Sequence, residues 1–91
     1  MLILVQIDLS AADVSKFDAY EAQALALLAG YGARLLERVR STDGWQEIHL
    51  IEFPDIAALN AFRMDPVRIS LQGLWDQCGA RSVLTEVTRA G

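Results

Sequence analysis

The chain holds one cysteine, Cys78, one histidine, His49, and two prolines among 91 residues. A lone cysteine excludes an internal disulfide and the two-thiolate clip of a structural zinc site, and with a single histidine beside it no ligand pair for a dedicated zinc or iron centre remains. That cysteine usage fits a reducing, cytoplasmic setting. Cations are also scarce. Eight Lys and Arg against twelve Asp and Glu leave a net charge of -4 and a pI near 4.7, whereas nucleic acid is bound by clustered positive charge. The one tight basic pair, Arg38 and Arg40 around Val39, reads as the solvated side of a strand. Neither a glycine-rich phosphate loop nor a serine elbow is present. The apolar opening from Leu2 to Ile7 is too short to span a bilayer and lacks the basic start and cleavage site of a leader. No cofactor, nucleic-acid or membrane partner is expected.

What is present is apolar surface. Of all residues, 53% are hydrophobic, and the mean hydropathy is +0.24. The length allows one domain, residues 1–91, and a domain of this size buries only roughly 60 to 65% of the surface its unfolded chain exposes. The excess of apolar residues points to an interface.

The pattern along the chain is regular. From Leu2 to Leu9, Ile3, Val5, Ile7 and Leu9 share one strand face, and Leu2, Leu4, Gln6 and Asp8 the other. Ser10-Ala11-Ala12-Asp13 resembles a capping box that starts a helix, whose apolar stripe is Val14, Phe17, Tyr20, Ala24, Leu27 and Leu28. Gly30, with Gly32 just after it, supplies the helix end. A second strand runs from Ala33 to Arg40, with Leu35 and Val39 alternating against Arg34, Leu36, Arg38 and Arg40. A Ser41-Thr42-Asp43-Gly44 turn leads to a third strand, Trp45 to Phe53. There Ile48 and Leu50 share one face, and Glu47, His49, Ile51 and Phe53 the other. Asp55 caps a short helix carrying Ile56, Leu59 and Phe62. Asp65-Pro66 opens a further helical stretch with Val67, Leu71, Leu74, Trp75 and Cys78, closed by Gly79, and Arg81 to Thr88 is a final strand.

This order is βαββαβ. A right-handed crossover on each side of a central hairpin gives an α+β, ferredoxin-like domain: a four-stranded antiparallel sheet with its helices on one face. The other face is left uncovered. The expected occupants of that open face are Leu2, Leu4, Ile51 and Phe53, together with Gln6, Asp8, Glu47 and His49. Each large apolar side chain taken out of water contributes about 1.5 to 3 kcal/mol, so two copies packed sheet to sheet in a two-fold dimer are the simplest way to cover it.

Phe17-x-x-Tyr20, the run Tyr31 to Arg38, and Ile51-Glu52-Phe53-Pro54-Asp55-Ile56-x-x-Leu59-x-x-Phe62 followed by Asp65-Pro66 resemble the bacterial domain-of-unknown-function family 1330. That family lies in the dimeric α/β-barrel superfamily. The resemblance, from about Phe17 to Thr88, implies a ferredoxin-like subunit and a barrel made by two sheets. It brings no established reaction.

The candidate chemistry centres on His49, the one side chain whose unperturbed pKa lies near neutrality, with Glu47 two residues away. On the open face Gln6 and Asp8 of the neighbouring strand join it, a cluster able to orient a polar ligand or transfer a proton. Tyr20 is expected at the pocket's mouth, and Trp45, beside the hairpin turn, as a pocket wall or dimer anchor. The plainer reading of His49 is a hydrogen-bonded interface residue. Cys78, at a helix C-terminus beside Asp76, is expected to be inert. Three functions follow: a homodimeric barrel protein binding a small, partly apolar molecule between its sheets; a cofactor-independent monooxygenase or isomerase acting on an aromatic or lactone substrate; and a structural or regulatory interaction domain with a plugged sheet interface.

Overall fold

A computed structural model describes residues 1–91. In chain order the elements are β1 (Leu2–Asp8), α1 (Val14–Leu25), a 3-10 turn (Leu28–Tyr31), β2 (Arg34–Arg40), β3 (Gln46–Glu52), α2 (Ile56–Arg63), α3 (Pro66–Ser70), α4 (Gln72–Cys78) and β4 (Arg81–Val87). The strands form one sheet in the order β2-β3-β1-β4, every neighbouring pair antiparallel. This is the ferredoxin-like α+β arrangement, with the two central strands each followed by helix. No helix is long and apolar enough to cross a membrane.

Local chemistry accounts for most boundaries. Asp13 caps α1 by accepting a bond from Lys16 N at 3.1 Å. The capping box expected at Ser10 does not form, because Ser10 N instead bonds Asp8 Oδ1 at 2.8 Å and turns the chain before the helix begins. Asp55 and Asp65 cap α2 and α3 through Ala58 N, and through Val67 N and Arg68 N. After α1 the left-handed residue is Gly32, with φ 68°, rather than Gly30. The stretch from Asp65 to Gly79 is two short helices meeting at Leu71, not one. Gly79, at φ 76°, closes α4 where its missing side chain lets Ala11 O approach: a Cβ there would lie 2.8 Å from that oxygen.

The core lies between the sheet and the helices. Ile3, Ile51 and Phe53 of the sheet region pack with Leu28, Ala33 and Leu59, while Ile7 and Leu9 pack with Phe17, Cys78 and Ala80. Tyr20, Ala24 and Leu71 join α1 to the α3–α4 corner.

The sheet register corrects the expected composition of the open face. Ile3 pairs with Ile51, Val5 with His49 and Ile7 with Glu47. Direct cross-strand partners point to the same side, so Glu47, His49, Ile51 and Phe53 face the helices. The open face instead carries Leu2, Leu4, Gln6 and Asp8 beside Ile48 and Leu50 of β3 and Val83 and Thr85 of β4. In β2 a bulge between Leu35 and Glu37 shifts the register. Leu35 and Val39 consequently lie on opposite faces, and Arg38 and Arg40, opposite His49 and Glu47, join the helix side.

Candidate functional site

Besides Tyr20 and Cys78, three buried residues carry strongly polar, ionisable side chains: Glu21 at 6% exposure, and Glu47 and His49 at 2% each. Two come from β3 through its alternation, and the third from the inner face of α1. Burial of such groups is costly unless they are partnered, and the partners are specific. Glu47 Oε2 lies 2.6 Å from His49 Nε2 and accepts from Arg38 Nε at 3.1 Å. Its Oε1 accepts from Arg40 Nε at 2.9 Å and Nη2 at 2.7 Å. Arg40 Nη2 also reaches Asp18 of α1 at 2.7 Å, linking the edge strand to the helix.

The β2 bulge makes this clamp possible. With uninterrupted alternation from Leu35, Arg38 and Arg40 would project from the open side, away from Glu47. Burial works against the Glu47 carboxylate, but the His49 bond, the Arg40 bonds and the charge of Arg38 together hold its pKa below the usual value. Burial pushes the His49 pKa down, and Arg38 and Arg40 act the same way, against the pull of Glu47. The imidazole is therefore neutral at neutral pH beside an ionised carboxylate.

Above His49 the sheet and the helices line a half-open cavity of about 160 Å³. His49, Val5 and Ile7 form its floor, Tyr20, Glu21 and Ala24 one wall, Phe62, Arg68, Gln72 and Trp75 the other, and Ser82 and Leu84 its β4 side. Tyr20 and Trp75 pack with ring centroids 5.0 Å apart. The Glu21 carboxyl makes no hydrogen bond within the protein, and no sealed side-chain nitrogen or oxygen lacks a partner, so it opens onto the cavity. Burial raises its pKa to about 7, with Arg38 opposing and Glu47 reinforcing the rise. Burial likewise raises the Tyr20 phenol. A carboxyl that exchanges its proton near neutrality, a neutral imidazole and the cation of Arg68 in a mostly apolar chamber are the parts of an acid-base site.

The expected site residues divide between two places. His49 and Tyr20 line this cavity. Gln6 and Asp8 lie on the opposite side of the sheet with Gln46, Arg81 and Val83, around a second space of about 330 Å³, so the expected grouping of His49 with Gln6 and Asp8 does not form. Trp45 is 64% exposed and lines neither space. Among the cavity residues not anticipated as site residues, Glu21, Arg68 and Trp75 bear most on its chemistry. Glu21 had a sequence signal, for Phe17, Glu21, Ala24 and Leu28 fall at helical spacing and place a carboxylate inside the apolar stripe. Trp75 stood in the apolar stripe of the last helical stretch, which marked it as inward-facing but not as a cavity wall; Arg68 carried no signal, since its approach to the cavity depends on the bend at Leu71.

No family model matches the chain, and a search of curated proteins finds no match in sequence. Solved structures do share its fold. SnoaB, a cofactor-independent oxygenase from Streptomyces nogalater, superimposes with a TM-score of 0.69 at 12% identity, over 98% of this chain and 93% of that one. A putative antibiotic biosynthesis monooxygenase from Caulobacter crescentus gives 0.72 at 11% identity, covering 97% and 89%. An uncharacterized NIPSNAP domain protein from Burkholderia xenovorans gives 0.66 at 17% identity, covering 97% and 95%. At these identities the likeness is one of fold, and the resemblance to family 1330 is carried no further than that fold.

Proposed function

We propose that this chain is a homodimeric α/β-barrel protein that binds a small, ring-bearing molecule in the cavity between its sheet and helices. The observation that carries this reading is the convergence of Glu21, His49, Tyr20, Arg68 and Trp75 on one chamber. Its volume of about 160 Å³ suits a single ring, since an apolar cavity of about 150 Å³ admits benzene. Tyr20 and Trp75 supply aromatic walls, and the polar groups fix orientation. The chamber departs from the expected ligand site between two sheets, but the ligand class stays the same: small and partly apolar. Dimerisation is supported by the open face, where Leu2, Leu4, Ile48 and Leu50 stand together without a helix over them. The family-1330 resemblance agrees with such a dimer.

The test uses a Trp45→Phe protein, which leaves Trp75 as the sole indole reporter. Saturable quenching by phenol that disappears in Trp45→Phe/Ala24→Leu, where the added bulk fills the chamber, supports the site. Quenching unaffected by that blockage removes it.

A second reading, favoured by the Glu21 carboxyl with its pKa near 7, is cofactor-independent oxygenation. Glu21 would take the proton of an acidic C–H or O–H, Arg68 would face the resulting anion, and that anion would supply electrons to O₂. The description of SnoaB as a cofactor-independent oxygenase on this fold agrees with it. Oxygen uptake with single-ring hydroxyaromatics, lost in Glu21→Gln, is the expected result. Uptake equal to the buffer's own rate returns the site to binding alone.

A further inference from the structure

Every bond made by the Glu47 side chain bears on one imidazole. Its Oε2 lies 2.6 Å from His49 Nε2, while Arg38 and Arg40 hold both carboxylate oxygens from β2. An ionised carboxylate only accepts, so the nitrogen facing it carries the proton. A neutral imidazole has just one such proton, which leaves a lone pair on Nδ1. Nδ1 has no protein partner, and no sealed side-chain nitrogen is unpaired, so it meets the cavity that His49 floors.

Resting on the ligand-binding reading above, we infer that Arg38 and Arg40 are positioning residues: they lock Glu47 in place and through it hold His49 as an Nδ1 acceptor. The cavity thereby selects a neutral ligand that presents an O–H or N–H to the imidazole. Neither arginine lines the cavity, so their influence passes through Glu47. A free carboxylate would rotate and release the ring to either tautomer, but the Arg40 fork and the Arg38 bond fix it from two sides.

The charges around the ring favour this state. From β2 come Arg38 and Arg40, from β3 Glu47, from α1 Tyr20, Glu21 and, behind Arg40, Asp18, and from α3 Arg68. β1 and β4 turn only Val5, Ile7, Ser82 and Leu84 toward the chamber. The cations and the burial of the ring oppose its protonation, and Glu47 is the one carboxylate in contact with it. Ligand anions bearing no donor would meet a lone pair at Nδ1 rather than an N–H.

With one histidine in the chain, histidine labelled with heavy nitrogen reports this ring alone. NMR of the full chain at neutral pH is expected to show a neutral ring protonated at Nε2. Binding is compared for phenol and for anisole, which keeps the ring and loses the donor. Phenol is expected to bind roughly tenfold tighter, the worth of a single such hydrogen bond. Arg40→Gln, whose side chain is a third exposed and tolerates replacement, is expected to mix the tautomers and erase most of that preference. Arg40→Lys, which keeps a cation there, retains it in part. A wild-type ring protonated at Nδ1, or a tautomer and phenol preference both unchanged in Arg40→Gln, overturns the inference. If neither ligand binds while Arg40→Gln still mixes the tautomers, the ligand site falls and the positioning role of the arginine stands.

Discussion

Val5 of β1 and His49 of β3 are direct cross-strand partners, and both side chains rise into the chamber beneath the helices. The pairing sets an apolar residue beside a titratable one on the same floor. From it follows the position of Glu47 next to Ile7, and of Arg38 opposite His49 on the far side of β3.

Glu21 makes stability depend on pH. Burial raises its folded pKa from 4.5 to about 7, so the folded state binds a proton more tightly than the unfolded chain. Stability is therefore fully present below the unfolded pKa and falls as pH rises from about 4.5 through about 7. The limiting loss is on the order of 3 kcal/mol. Urea unfolding of wild type and Glu21→Gln at pH 5 and pH 8 (about the two ends of the window) should show a steeper decline for wild type. Parallel pH dependence in the two proteins would contradict the burial of this carboxyl as an acid.

Glu47→Leu disturbs three groups at once, since His49 and Arg38 lose their hydrogen-bond acceptor and Arg40 keeps only Asp18. Breaking a buried ionic contact from one side costs about 3 to 5 kcal/mol, and the lower end applies because the arginine heads reach water. A fall in denaturation midpoint of that size is expected. Arg34→Ala, which removes an exposed pair with Glu52, should change stability by less than about 1 kcal/mol.

Two glycines separate conformation from contact. Gly44 has φ 80° with open space around it, whereas Gly79 has φ 76° and would place a Cβ 2.8 Å from Ala11 O. Gly44→Ala should cost about 1 to 2 kcal/mol from its left-handed backbone alone. Gly79→Ala should cost more, because a backbone oxygen must also move. Equal midpoints for the two variants would mean that the β1–α1 loop yields freely.

Tyr31 donates a hydrogen bond to Asp65 Oδ2, joining the turn after α1 to the cap of α3. Tyr31→Phe should lose about 1 kcal/mol. Asp65→Ala should lose more, since the same carboxylate also accepts from Val67 N and Arg68 N, and a lost cap typically adds about 1 kcal/mol. Thermal unfolding of the two variants orders them.

Leu50→Arg places a charge at the centre of the open face, beside Leu4. If two copies meet through that face, light scattering after gel filtration should register a dimer for wild type and a monomer for the variant. An unchanged mass would send the dimer contact elsewhere.

Periodicity made the elements readable, because each strand and helix has to present its apolar side to the same core. It also grouped Glu47, His49, Ile51 and Phe53 correctly on one side of β3. Which side of the sheet that was is a matter of pairing with β1. Taken alone, a histidine and a glutamate suggest water, yet Ile51 and Phe53 share their face and drew them into the core, where Arg38 and Arg40 supply the compensation. The bulge near Leu36 was equally hidden: two adjacent leucines fit either phase, and only the ladder to β3 chooses.

Composition and pattern determined the order βαββαβ, the helix-packed face of β1, the caps at Asp55 and Asp65 and the surplus of apolar surface, since these depend on contacts near in sequence or on a simple two-sided pattern. The tertiary structure decided where chemistry sits. Glu21, Glu47, His49 and Arg68 come from three elements, α1, β3 and α3, and their meeting depends on strand register, one bulge and the bend at Leu71. Such long-range relations leave no local trace, because the free energy that selects them resides in the packed core rather than in any one segment.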